Sequence, residues 1–376
     1  MSLCLLSFSS VMRTVGGVLL ALLILLVMVT VHEFGHYLAG KIFKFKINEF
    51  AVGFGPRLCK VTKKNGEIFS VRAFPLGGFC AFEGEDEDAP DPAAFNNKKP
   101  WQRIIVLFAG AFMNYLLALL LIVVSFFACG QLLLMTHRVE PPQNALQEAY
   151  SLHDEDVIIA CEGKNIYLTA DLMEALEGRR AGDRVSFTVS RRTDAGRAIV
   201  EAAVVLRADA DFENLTDNAA LWKCLGVASE TTAAGETAYQ VYSASFRGFG
   251  FFETIGRSFA YSFRIGGTIF KVLGQLLTGD LGLSAFGGPV TTIRLTSEIA
   301  TRGVQQFLEI AAFIGVNLAV FNLLPIPALD GSKIVFTVIE WIRGKPLNRK
   351  VEAIIHAVGF VLLLGFAVLV DVLQLF

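Results

Sequence analysis

Four long apolar runs stand out from the mixed sequence around them. They cover residues 13–39, 102–129, 304–324 and 351–374, and about 20 helical residues are enough to cross the hydrocarbon core of a bilayer. The sequence therefore predicts about four membrane-spanning helices. No small-residue cleavage site follows the first run, which continues into polar residues, so we expect a retained helix and not a secretory signal peptide.

The segments between these runs differ in character. Residues 41–98 mix short alternating apolar stretches with glycines, which is typical of strands and turns. Residues 138–207 are charged, and two strand-like stretches, VIIACEG and VSFTVSR, flank a short helical stretch at Ala170–Leu176. They predict a small soluble α+β domain. The polar residues 208–240 are expected to form a linker.

Residues 246–278 are rich in Phe and Gly but carry several charges, which a spanning helix rarely tolerates. An amphipathic helix lying at the membrane surface fits this pattern better. The expected organisation is therefore a first membrane half at 1–130, an inserted domain at 138–207, a linker with a surface helix at 208–300, and a second membrane half at 301–376.

Composition and charge narrow the class of protein. Hydrophobic residues make up 53% of the 376 residues, an excess that lipid contact explains. The formal net charge of −2 gives no basic field, so a nucleic-acid partner is not expected. None of the six cysteines forms a CxxC pair, so the sequence predicts neither a cysteine zinc site nor a disulfide framework.

Basic residues beside the predicted spans indicate the orientation in the membrane. With four spans, three basic clusters fall on one side, which the positive-inside rule assigns to the cytoplasm. The region 138–300 and both termini are then expected outside. The clusters consist of Lys41, Lys44 and Lys46, then Lys98, Lys99 and Arg103, and finally Arg343, Lys345, Arg349 and Lys350.

The first apolar run contains the motif H-E-x-x-H, from His32 to His36. On a helix, a spacing of four residues places both imidazoles on one face, where they can share one Zn²⁺. Glu33 beside them is a candidate general base for a water that the metal activates. Ionisable side chains are costly within an apolar span, which favours a functional role. A catalytic zinc needs a third protein ligand.

Two residues on other segments are candidates for this third ligand. Asp330 follows the third span in the stretch PIPALDG, where two prolines break the helix and Gly331 permits a tight turn that could direct the carboxylate back to the metal. A helix cap is the alternative role for Asp330. His356 on the fourth span is the rival ligand, and it could equally be a packed polar residue.

The motifs together identify a resemblance to the site-2 protease family of intramembrane zinc proteases, in particular to the bacterial branch that cleaves membrane-bound anti-sigma factors. The resemblance implies His32, His36 and Asp330 as zinc ligands and Glu33 as the catalytic base. The family usually has LDGG or NPDG where this chain has LDGS, a difference at Ser332, which is not a ligand position. The matching stretches are TVHEFGHYLAG, FAVGFGPRL, FSVRAFPLGGFCAFEGEDE, GAFMN and VNLAVFNLLPIPALDGSKI.

The bacterial branch implies an inner-membrane location, and we expect single-span membrane proteins as substrates. Because a helix in lipid pairs all of its backbone groups, the protease must hold the cut segment in an extended form. The alternation at residues 68–74 supplies a candidate edge strand, with Phe69 and Val71 as substrate-binding residues. A hairpin that merely covers the site is the alternative. Asn322 stands at a family position that is thought to grip the substrate backbone, and it could instead be a helix-packing amide.

The inserted domain resembles a PDZ domain, although the usual glycine and proline of its first turn are replaced in SLHDEDVII. It could act as a size filter for substrates or recruit a trimmed substrate. A transporter would not need the paired histidines with Glu33, and the chain shows no repeated halves. A scaffold with an inactive metal site would not need an intact Glu33. The predicted fold is thus a polytopic α-helical membrane protein with a membrane-associated β-hairpin region and an inserted PDZ-like domain.

Overall fold

The structure is a computed structural model, and it describes residues 8–85, 89–213, 217–231, 237–279 and 287–374. The helices are α1 Phe8–Ile42, α2 Pro100–Cys129, α3 Ala145–Ala149, α4 Thr169–Leu176, α5 Asn218–Leu225, α6 Phe251–Thr278, α7 Pro289–Ala300, α8 Val304–Leu323, α9 Asp330–Arg343 and α10 Arg349–Leu373. The strands are β1 Ile47–Thr62, β2 Ile68–Phe82, β3 Gln131–Thr136, β4 Val157–Cys161, β5 Lys164–Asn165, β6 Arg184–Thr193, β7 Gly196–Val205, β8 Ser229–Thr231, β9 Thr237–Tyr239 and β10 Val241–Phe246. The chain forms two compact units, one of Met1–Val124 with Gly282–Phe376 and the other of Ser125–Leu281.

Within the described part of the chain, four helices are long and apolar enough to cross a membrane. They are Met12–Ile42, Pro100–Cys129, Val304–Leu323 and Arg349–Leu373, which confirms the four predicted apolar runs. They are 31, 30, 20 and 25 residues long, and about 20 apolar helical residues are enough to cross the hydrocarbon core of a bilayer.

Small residues let α1, α2 and α8 approach closely. A Cβ atom on Gly35 of α1 would lie 2.3 Å from the carbonyl oxygen of Ala109 on α2. A Cβ on Gly315 of α8 would lie 2.9 Å from the Cβ of Ala118 and 3.2 Å from the sulfur of Met28. Because association of membrane helices depends on close packing and not on a hydrophobic effect, small residues are favoured at such contacts.

β1 and β2 form a folded sheet, in which both strands bend so that four segments lie side by side and not two as in a simple hairpin. The order of these segments is 78–82, 47–52, 68–71 and 59–62. Residues 68–71 are paired on both sides, since Phe69 lies opposite both Phe50 and Val61. The prediction of an edge strand at residues 68–74 was therefore wrong for its first half, because neighbouring backbone already occupies both sides of that segment. In the described residues, the edges of this sheet are 59–62 and 78–82.

The second unit is larger than the predicted domain. Its main sheet has the strand order β10-β3-β4-β6-β7, and β5 pairs with β4. The predicted strands and the short helix are confirmed as β4, β6 and α4. The predicted linker at 208–240 was wrong, because Trp222 of α5 and its neighbours are buried in the same hydrophobic core as Leu172 and Phe187. Residues 214–216, 232–236 and 280–286 of the expected linker region lie outside the described residues.

The predicted amphipathic helix is present as α6. Its outward side carries Phe252, Phe259, Phe263 and Phe270, whereas Arg257 is buried and donates hydrogen bonds to side chains of the same unit. The contact of this Phe-rich side with a membrane surface stays a prediction. Helix α7 was not predicted within the 208–300 region, since its apolar residues are interleaved with threonine, serine and charged residues.

Candidate metal centre

Three side chains from two distant parts of the sequence converge on one point. The Nε2 atoms of His32 and His36 are 3.1 Å apart, and Oδ2 of Asp330 lies 3.0 Å from the first and 3.3 Å from the second. In the described residues these three form the one cluster of histidine, cysteine and acidic side chains that could hold a metal ion. Both histidines are buried.

The spacing of these atoms fits zinc. Ligands placed about 2.0–2.1 Å from a tetrahedral Zn²⁺ lie about 3.3 Å from one another. The observed separations of 3.0–3.3 Å are close to this value. Two imidazoles and one carboxylate also leave the fourth tetrahedral position for water or substrate, as in catalytic zinc sites.

Hydrogen bonds orient both imidazoles. Nδ1 of His36 lies 2.8 Å from the carbonyl oxygen of Val106 on α2, so an Nδ1–H can donate there and leave Nε2 as the ligand atom. The side-chain amide of Asn322 on α8 lies 3.3 Å from Nδ1 of His32. Groups that bind the distal nitrogen of a ligating histidine fix its tautomer and its direction.

A sharp turn between α8 and α9 directs Asp330 at the histidines. Helix α8 ends at Leu323 because Pro325 lacks an N–H and disfavours a helical residue before it. Helix α9 then begins at Asp330 itself. A Cβ on Gly331 would lie 2.3 Å from the carbonyl oxygen of Leu324, so only glycine allows the two helix ends to approach this closely.

The electrostatics of Asp330 suit a ligand. Burial raises the pKa of its carboxyl group, but the nearby His36 and His32 imidazoles lower this pKa by more than burial raises it. The net pKa of Asp330 is therefore well below the usual range. The carboxylate is therefore ionised, as a metal ligand must be.

Gly110 brings α2 against the two imidazoles. A Cβ at this position would lie 2.4 Å from Nε2 of His36 and 2.8 Å from Cε1 of His32. No side chain fits between the helix backbone and the rings. Sequence reasoning missed this contact, although the small residue in the stretch GAFMN was the available signal.

Glu33 faces a cavity of about 300 Å³ that also touches His36 and Asp330. Its Oε2 accepts a hydrogen bond of 2.9 Å from the backbone N–H of Cys80 on β2. Burial and the Glu33 carboxylate raise the pKa of the Cys80 thiol, so this group lines the cavity as a neutral thiol. The segment Phe79–Phe82 supplies much of the cavity wall, and it belongs to an edge of the folded sheet.

The other predicted residues take different places. Asn322 contacts His32. His356, the rival third ligand, lies outside the cluster of three, and its Nδ1 accepts a hydrogen bond from the backbone of Ala328. Phe69 packs edge-on against the ring of Tyr37, and Val71 is half exposed on a segment that is not an edge.

Comparison with known proteins identifies the family. The sequence profile of peptidase family M50 matches residues 20–366. The chain belongs to peptidase family M50. It is 32% identical over 357 residues to a Clostridium perfringens protein whose name describes a zinc metalloprotease, and the match covers 94% of this chain and 97% of that protein.

Two further relatives with the same description come from Nostoc sp. and Agrobacterium fabrum. They are 31% and 28% identical to this chain, and each match covers 94% of both sequences. This M50 protein is thus a zinc metalloprotease of the site-2 type, which confirms the resemblance, the enzyme class and the zinc cofactor predicted from the motifs. The resemblance of the second unit to a PDZ domain stays a prediction.

Proposed function

We propose that this M50 protease cuts other membrane proteins within or near their membrane-spanning segments, with His32, His36 and Asp330 as zinc ligands and Glu33 as general base. The position of the paired histidines on an apolar helix supports this proposal most directly. At a helical rise of ~1.5 Å per residue, His32 lies roughly 13 Å along α1 from the basic Lys41. A metal at that depth meets segments that are buried in the bilayer.

The surrounding groups are suited to peptide hydrolysis. A bound zinc would supply Lewis acidity for the attacking water and the scissile carbonyl group. One oxygen of Glu33 is held by the N–H of Cys80, so the other can take the proton from water and pass it to the leaving amine. The cavity beside Glu33, of about 300 Å³, has room for a short stretch of peptide.

The substrate must be extended before it can be cut, because the backbone of a membrane helix is fully paired. The edge at residues 78–82 supports strand addition, since it lies beside Glu33 and has no second strand partner in the described residues. This edge replaces residues 68–74 as the proposed substrate-binding strand. The side-chain amide of Asn322 lies 3.3 Å from Nδ1 of His32 and orients that ligand. Only the part of this amide that does not contact the imidazole could bind the substrate backbone.

The proposed setting is a multi-pass protein of the bacterial inner membrane, with its zinc near the cytoplasmic side and its second unit outside. The basic clusters beside the spans support this orientation. The proposed substrates are single-span proteins, such as anti-sigma factors or remnants of signal peptides, cut after a first protease has trimmed them. We propose that the outside unit is a size filter, since the altered turn at Ser151–Asp156 favours this over peptide recruitment.

A reconstituted assay tests the proposal. The purified enzyme in lipid vesicles should cut a single-span substrate, and mass spectrometry should place the cut within or near its membrane segment. A zinc chelator should stop the reaction, and added zinc should restore it. Cleavage that occurs only in soluble loops would refute intramembrane proteolysis, and cleavage that survives zinc removal would refute the metal mechanism.

A further inference from the structure

His356 and the turn before Asp330 are joined by one hydrogen bond. The backbone N–H of Ala328 donates to Nδ1 of His356 on α10 across 3.0 Å. Ala328 stands two residues before Asp330 and has a φ of 78°. This left-handed conformation is uncommon for a residue that carries a Cβ atom, so the turn needs contacts that hold it.

The composition of the turn limits the contacts available to it. Pro325 and Pro327 have no N–H to donate. The N–H groups of Ile326 and Leu329 bond to carbonyl oxygens within the turn itself, at 2.7 and 3.1 Å. Of the backbone donors between Pro325 and Leu329, that of Ala328 is therefore the one that ties the turn to another helix.

Helix α10 also contacts the turn through shape. Gly359 lies three residues after His356, on the same side of the helix. A Cβ on Gly359 would lie 2.2 Å from the Cβ of Pro327. On α9, the ring of Phe336 packs edge-on against the imidazole of His356 at 5.6 Å between centroids. The turn is thus held against α10 by one directed bond and one close contact.

We propose that His356 is a positioning residue, which holds the turn so that Asp330 stays directed at the paired imidazoles. Its acceptor nitrogen fixes Ala328 in the left-handed conformation, and this sets the direction in which α9 and its first residue begin. This role explains why a histidine stands on an apolar helix without ligating the metal. The inference rests on the proposed ligand set.

Zinc affinity of the purified full-length protein measures this role without reference to activity. Groups that orient a ligand typically contribute about 10- to 100-fold to metal affinity. We expect His356→Leu to lose affinity within this range in a competition titration against a chromophoric chelator. His356→Asn should retain most of the affinity, because its side-chain oxygen can accept the same hydrogen bond. His153→Leu, at an exposed position of the second unit, is the matched control and should bind zinc like the unaltered protein.

A second variant tests the mechanism through the backbone. Glycine adopts a positive φ without the Cβ penalty. The double variant that combines His356→Leu with Ala328→Gly should therefore bind zinc much more tightly than His356→Leu alone. The idea is overturned if His356→Leu binds zinc normally, if His356→Asn is as weak as His356→Leu, or if Ala328→Gly gives no recovery. Asp330→Ala in the same titration separates the two levels: normal zinc binding there refutes the ligand set itself, whatever His356 does.

Discussion

Gly110 and His36 are so close that a Cβ atom on the glycine would lie 2.4 Å from Nε2 of the histidine. This distance is far below van der Waals contact, and Nε2 is the atom directed at the metal cluster. Glycine at position 110 is therefore required at the metal centre, because it lets α2 approach the imidazoles of α1 this closely.

The first prediction concerns this contact. Gly110→Ala should displace an imidazole and lower zinc affinity by about 10- to 100-fold, the range for disturbed ligand orientation. Gly16→Ala on α1 is the control, since a Cβ there meets nothing within 4 Å. Zinc titration of both variants tests this, and equal affinities would show that α2 can yield to the added methyl group.

The second prediction separates metal binding from catalysis. Glu33→Gln should keep the fold and the zinc, because the amide oxygen can still accept the hydrogen bond from Cys80, but it cannot act as a base. Cleavage should fall by about 10²- to 10⁴-fold, the usual contribution of a general base. Zinc content and cleavage rate are measured on the same preparation, with Glu148→Gln at an exposed position as the control. Cleavage at the normal rate would end the proposed mechanism.

The third prediction concerns the ligand set. Asp330→Ala leaves two imidazoles, and zinc affinity should fall further than in His356→Leu, because a ligand is lost and not merely displaced. Elemental analysis after dialysis, beside His32→Ala, measures this. If zinc content is unchanged in Asp330→Ala but lost in His356→Ala, then the histidine of α10 is the third ligand.

The fourth prediction locates the substrate strand. A photo-crosslinking residue at Phe79 should capture a single-span substrate in the inactive Glu33→Gln background, because residues 78–82 form the sheet edge beside the catalytic carboxylate. The same residue at Val61, on the opposite edge, should give little product. Crosslinking at Val61 but not at Phe79 would place the substrate on the other edge.

The fifth prediction concerns the second unit. Deletion of 138–207 alone would cut through its sheet, whereas Gln131 and Phe246 lie opposite each other on β3 and β10. Replacement of residues 131–246 by a short loop removes the domain between two points of the chain that lie next to each other. If the domain is a size filter, the shortened enzyme should cut untrimmed substrate that the full protein rejects. Slower cutting of trimmed substrate, with untrimmed substrate still resistant, would instead show recruitment.

The sequence alone predicted the four long apolar helices and the three side chains that converge as a candidate metal site. The four apolar runs and the spacing of His32 and His36 are local patterns, and helix geometry converts such patterns directly into one membrane span or one ligand face. Asp330 was also within reach, because the two prolines and Gly331 beside it mark a helix break, and the family motif singled it out.

Only the tertiary structure decided which distant segments meet. Residues 68–71 read as an edge strand, yet they are paired on both sides, because strand partners depend on how the chain folds back and not on alternation. The polar stretch around Trp222 was predicted to be a linker, because its few apolar residues are buried only by packing against strands that are distant in the sequence. Gly110 and His356 act through contacts with residues 74 and 28 positions away, and no local periodicity encodes a contact of that kind.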